Sequence, residues 1–213
     1  MNILLILYYI VLFLCLVKSL GLKLKYRNSH QNFFLYYFFV AFILESYGLY
    51  KITVHEYDYS FLFNYFFLFN IMYFLFQYGK EFQVKIKMIA IIAASIASTI
   101  TIYFIFNNTI FSNKIGLVLS FFYILLSLLW FYQKNINVSE EVLTELPFFW
   151  ISVAILLWGV FFIFRIMPMY ILDSLDTKFK TQINNIFMGI NIITYLLLLI
   201  SLFKFQKLNE QPT

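Results

Sequence analysis

The sequence predicts an all-α membrane protein, a seven-helix transmembrane bundle with its N-terminus outside and its C-terminus inside. Three observations carry that expectation. Stretches of about twenty apolar residues recur along the chain, each long enough to cross a hydrocarbon core of about 30 Å. Hydrophobic residues make up 63% of the 213 and charged ones 12%, against about 45–50% and about 25% in soluble domains. The lysines and arginines gather near the ends of the apolar stretches rather than inside them.

The spans are expected near 2–20, 33–52, 60–79, 86–106, 113–132, 147–167 and 184–204, in one transmembrane domain covering 1–213. No Lys or Arg precedes the first apolar run, and Cys15-Leu16-Val17-Lys18 is not a small-residue cleavage site, so this span is read as retained. The second holds Glu45 and ends at Lys51, and the fifth is closely flanked by Lys114. Six helices, with one segment lying in the interface, is the alternative count. In the fourth span Ala90, Ala94 and Ser98 fall four apart, and Ala93, Ala97 and Thr101 repeat the spacing one step around. Small residues so spaced let helices approach closely, which marks a packing helix. Pro147 suits the first turn of the sixth.

Seven spans with the N-terminus outside put Lys18, Lys23, Lys25, Arg27, Lys80, Lys85, Lys87, Lys134, Lys204 and Lys207 on the inner side. Lys51, Lys114, Arg165, Lys178 and Lys180 fall outside. That asymmetry is the positive-inside pattern of a multi-pass cell (inner) membrane protein. The formal charge of +5 therefore reports topology and anionic lipid heads, not nucleic acid. Tyr8, Tyr36, Tyr50, Tyr78, Tyr132 and Tyr170 lie towards span ends, as in the aromatic belts of bilayer interfaces. Cys15 is the only cysteine, so no disulfide forms within one chain.

Polar groups at membrane depth are the sharpest functional clue, because a charge near the bilayer centre costs about 2.5–3.5 kcal/mol on insertion scales. Glu45, Asn64, Arg165 and Asn191 fall in the outer half of four spans. One reading is an outward-facing pocket, with Glu45 and Arg165 as charge partners and the asparagines as ligand contacts. The other is a set of interhelical hydrogen bonds with Arg165 reaching the interface. Asn184, Asn191 and Thr194 share one face of the last helix, whereas Asn70 points about 120° away from Asn64. In the connection from Gln133 to Leu146, Ser139 is positioned to cap a short helix starting with Glu140 and Glu141. Val142, Leu143 and Leu146 would lie on the inner membrane surface. Glu140, Glu141 and Glu145 then make an acidic docking patch for a partner, or merely a solvated connector.

Several chemistries lack their residues. There is no Gly-x-Ser-Gly pattern for an intramembrane serine protease, and Glu140-Glu141 lacks the Arg of the Glu-Glu-x-x-x-Arg pattern. His30 and His55 fall in loops on opposite faces, the last span has no Lys for a retinal Schiff base, and no internal repeat is visible. Pro147, Pro168 and Pro212 sit at span ends or in the tail, unlike the prolines within the helices of three-plus-one-plus-three sugar carriers. No catalytic residue, metal or cofactor is expected.

The stretch Glu145-Leu-Pro-Phe-Phe-Trp-Ile-Ser-Val-Ala-Ile-Leu-Leu-Trp-Gly-Val-Phe-Phe and the later Asn191-Ile-Ile-Thr-Tyr-Leu-Leu-Leu-Leu-Ile-Ser resemble small stand-alone seven-helix proteins often encoded beside sensor histidine kinases. Their sixth helix starts with a similar Pro-x-Phe-Trp-Ile-Ser-like sequence, their last carries Asn-Ile-x-x-Tyr, and Glu45 fits the same pattern. Trp158 stands where those proteins lead one to expect Tyr. The resemblance implies a sensory or accessory role. The expectation is a non-enzymatic signalling or accessory subunit whose partners are the bilayer, a protein at the cytoplasmic face and a second copy of the chain. The alternative is a small-solute transporter or ion-conducting oligomer.

Overall fold

Apolar runs in lipid must satisfy every backbone group internally, and this chain does so with helices. The computed structural model describes residues 3–26, 32–53, 61–107, 112–137, 142–171 and 177–210. Among them are seven α-helices: α1 (Ile3–Lys25), α2 (Asn32–Thr53), α3 (Leu62–Glu81), α4 (Val84–Asn107), α5 (Asn113–Ile136), α6 (Pro147–Ile171) and α7 (Thr177–Glu210). A single 3-10 turn, Leu143–Glu145, precedes α6.

Six of these, all but α3, are long and apolar enough to cross a membrane. Asn64, Asn70 and Gln77 depress the hydropathy of α3, yet all are buried in protein and do not meet lipid. Twenty residues of helix reach about 30 Å, which is enough to cross. Its ends are also tied to both ends of α5. Asn64 Oδ1 accepts a hydrogen bond from the Ser112 N–H just before α5, at 3.1 Å. At the other end the Gln133 side chain accepts from the Gln83 N–H and donates to the Glu81 carbonyl, both at 2.9 Å. Thus α3 runs beside the length of α5 despite its polarity.

The chain forms two compact units. Unit 1 is Met1–Phe42 with Glu140–Thr213, and unit 2 is Ile43–Ser139, so α2 contributes its first half to one and its second to the other. Unit 1 is built on α7, against which both α1 and α6 pack. Tyr195 of α7 meets Tyr8 and Phe38, and Phe205 meets Phe34 and Phe148. The Cys15 thiol donates to the Tyr195 carbonyl at 3.3 Å. In unit 2, α3, α4 and α5 pack on one another in all three pairings. The edge-to-face pair Phe74–Tyr123, 5.0 Å between ring centres, lies in its core.

Several sequence expectations shift. The last span was expected over 184–204, but α7 has 34 residues, about 51 Å of helix. Its polar ends satisfy their backbone by staying helical, and ion pairs hold the last turns. Pro168 lies within α6 and not at its end. It removes the donor to the Phe164 carbonyl four residues back, and α6 ends within one turn after it. Tyr36, Tyr50 and Tyr132 are exposed, whereas Tyr8 and Tyr78 are buried and belong to the core rather than to a belt. The turn before α6 begins after Val142. Ser139, Glu140 and Glu141, expected to open a short helix there, lie outside the described residues.

Candidate functional site

On α6 and α7 the polar side chains form a register. The Trp158 indole N–H donates to Asn191 Oδ1 at 3.0 Å. Seven residues further along α6 and seven back along α7, Arg165 Nε donates to Asn184 Oδ1 at 3.2 Å. Arg165 also lies over the Phe187 ring, 4.7 Å from its centre. Thr194, on the same face of α7, is buried and bonds back to the Ile190 carbonyl. Two turns is the natural repeat at which both helices return to their shared face.

The same antiparallel register continues to the opposite end. Glu145 stands thirteen residues before Trp158, and Lys204 thirteen after Asn191. They form an ion pair at 2.9 Å, and the second carboxylate oxygen of Glu145 takes Lys207 at 2.8 Å. Hydrogen bonds from Lys207 and Lys204 hold the Glu145 carboxyl well below its usual pKa, at about 2. A partner reaching this acid must displace both ammonium groups. Beside it, Lys25 pairs with Glu210 at 2.8 Å, the Tyr26 hydroxyl donates to the same carboxylate, and Lys18 donates to Gln206. The twenty residues from Glu145 to Arg165 correspond to about 30 Å of helix, one hydrocarbon thickness. Unit 1 therefore carries a polar cluster at each end of the α6–α7 pair and no charged residue between them on these helices.

Between α3, α4 and α5 of unit 2 the buried polar groups are neutral amides and hydroxyls. The Asn70 amide donates to the Phe66 carbonyl at 2.7 Å and accepts from the Tyr123 hydroxyl at 2.8 Å. Gln77 donates to the Tyr73 hydroxyl at 2.8 Å. Asn64 serves the start of α5 and Asn70 its middle, so the two make separate contacts, both towards α5. On α4, Ala90, Ala94, Ala97, Ser98 and Thr101 are buried. The exposed Ser95 and Thr99 of this helix bond back to their own carbonyls, the usual recourse of a hydroxyl in a helix. Ser98 Oγ and Thr101 Oγ1, buried on the packed face, have no hydrogen-bond partner.

Arg165 and Asn191 thus fall on one helix interface in unit 1, through Trp158, Asn184 and Phe187. Glu45 and Asn64 belong to unit 2, where Glu45 is half-buried on a helix whose neighbouring turns bury Ala41 and Gly48. Glu140 and Glu141 lie outside the described residues. Sequence reasoning did not single out Gln77, Tyr123 and Gln133, or the lysine partners of Glu145. A spacing of seven between Asn70 and Gln77 was the available signal for one amide-bearing face of α3. Nothing local marks Gln133, whose partners lie about fifty residues away. No family model matches this chain, and no curated protein or solved structure is significantly similar to it. Its class follows from the structure: an all-α, multi-pass integral membrane protein.

Proposed function

We propose that this chain is a non-enzymatic cell-membrane protein with seven spans, its N-terminus outside, acting as a sensory or accessory subunit for a cytoplasmic or membrane partner. The observation that carries this reading is the α6–α7 pair, with polar clusters about 30 Å apart fixed in one register. A shift of α7 that changes the Arg165–Asn184 contact at one surface also bears on the Glu145–Lys204–Lys207 clasp at the other. A cue would act by binding one arrangement of α7 better than another. The resemblance to proteins encoded beside sensor histidine kinases makes such a kinase the expected partner.

Two experiments test this. Ser29 and Asp58 replaced one at a time by Cys, in a Cys15→Ser background, should label oppositely with an impermeant reagent added outside: Asp58 reacts and Ser29 does not. The reverse would invert the topology. Purification from native membranes should retain a stoichiometric partner that Glu145→Lys releases. Solute flux in proteoliposomes without any such partner would favour the second reading, a small-solute transporter or ion-conducting oligomer. The unpartnered Ser98 and Thr101 hydroxyls in unit 2 are what support that alternative.

A further inference from the structure

Near Glu81, one end of unit 2 is rich in lysine. Only Phe82 and Gln83 separate α3 from α4. The Gln133 side chain binds that link through the Gln83 N–H and the Glu81 carbonyl, bringing the last turn of α5 against it. Lys80 closes α3, Lys85 and Lys87 open α4, and Lys134 follows Gln133, so this clasp gathers all of them at one end. Lys87 runs back over α3, its Cε 3.6 Å from where a side chain on Gly79 would begin. Among the described residues this end carries Lys80, Lys85, Lys87 and Lys134 against one acid, Glu81, an excess of positive charge.

Apolar surface adjoins the lysines. Val84 is 76% exposed, and Met88, Phe76 and Tyr132 are also exposed. Lys80 lies over the Phe76 ring, 4.1 Å from its centre. A soluble anion would use the charge and leave these side chains uncovered. A ligand with an acidic head and an apolar tail would use both. We infer that the α3–α4 link and the end of α5 form a binding site for the phosphate headgroup of an anionic lipid, whose acyl chains lie along Val84, Met88 and Phe76. This goes beyond the sensory reading and is independent of it.

The test uses the full chain purified in neutral detergent and titrated with a fluorescent short-chain phosphatidylglycerol. Phosphatidylcholine is the neutral arm and inorganic phosphate the soluble one. Phosphatidylglycerol should bind and phosphatidylcholine should not. At about 1 kcal/mol per lysine near an anionic surface, the triple change Lys80→Gln, Lys85→Gln, Lys87→Gln should weaken binding on the order of 100-fold. The matching triple change to Arg should retain it, and Lys204→Gln with Lys207→Gln should leave it unaltered. If the triple variant fails to fold, the exposed Lys85→Gln alone should still lower affinity about 5-fold. Equal binding of the two lipids, an equal loss in the unit 1 variant, or competition by phosphate at the lipid's own affinity would overturn the proposal.

Discussion

Unit 1 and unit 2 are both helical and apolar, yet the polar pairs that tie their helices together differ. Unit 1 places its charges at the two ends of α6 and α7, where Arg165 meets Asn184 and Glu145 meets Lys204 and Lys207. Unit 2 takes neutral amides and hydroxyls inside, pairing Asn70 with Tyr123 and Asn64 with the start of α5. The difference follows from cost. A charge at membrane depth is expensive, whereas a neutral amide with a partner is tolerated and adds direction to packing that apolar contact leaves non-directional.

The largest effect expected from breaking this contrast is in the packing of α4. Ala94→Leu inserts a branched side chain where Ala94 is 1% exposed, and should destabilise unit 2 by about 1–3 kcal/mol through overpacking. The same enlargement of the exposed Ser95 should be nearly silent. Trp130 reports on unit 2 and Trp150 and Trp158 on unit 1. Melting followed through Trp130 alone, with the other two replaced by Phe, should therefore show the loss. An unchanged midpoint would remove the close-packing argument.

A smaller effect should come from the interior hydrogen bond. Tyr123→Phe leaves Asn70 Oδ1 without the donor it now has. Interhelical bonds in membrane proteins average about 0.6 kcal/mol and reach about 1.7, so the shift in the Trp130 melt should fall within that range. A stabilised variant would mean that the amide is satisfied elsewhere.

The smallest effect belongs to the exposed clasp of unit 1. Glu145 is held down to about 2 by Lys207 and Lys204, so it favours the folded state at pH values above the usual carboxyl pKa of about 4.3. That contribution fades as the pH falls from there towards 2. Glu145→Gln should lower the unit 1 melt slightly at neutral pH, with the difference closing as the pH falls towards 2, and should weaken its sensitivity to salt, the Lys25–Glu210 pair remaining. An identical acid limb in the variant would show that the clasp does not contribute.

Helical class, membrane residence and the approximate position of every helix were decided by hydropathy and length, which are local and additive along the chain. So was the close-packing face of α4, because small residues recurring every four positions define a stripe on any helix. The shared face of Asn184, Asn191 and Thr194 was legible for the same reason. Tertiary structure alone decided that α3 lies along α5 in spite of its amides, since whether an amide meets lipid or a partner depends on residues about fifty positions away. It also decided that Gln133 clasps the α3–α4 link, that Tyr8 and Tyr78 are core, and that α7 continues to Glu210. A sequence shows which groups need a partner, and only the packed helices determine which partner arrives.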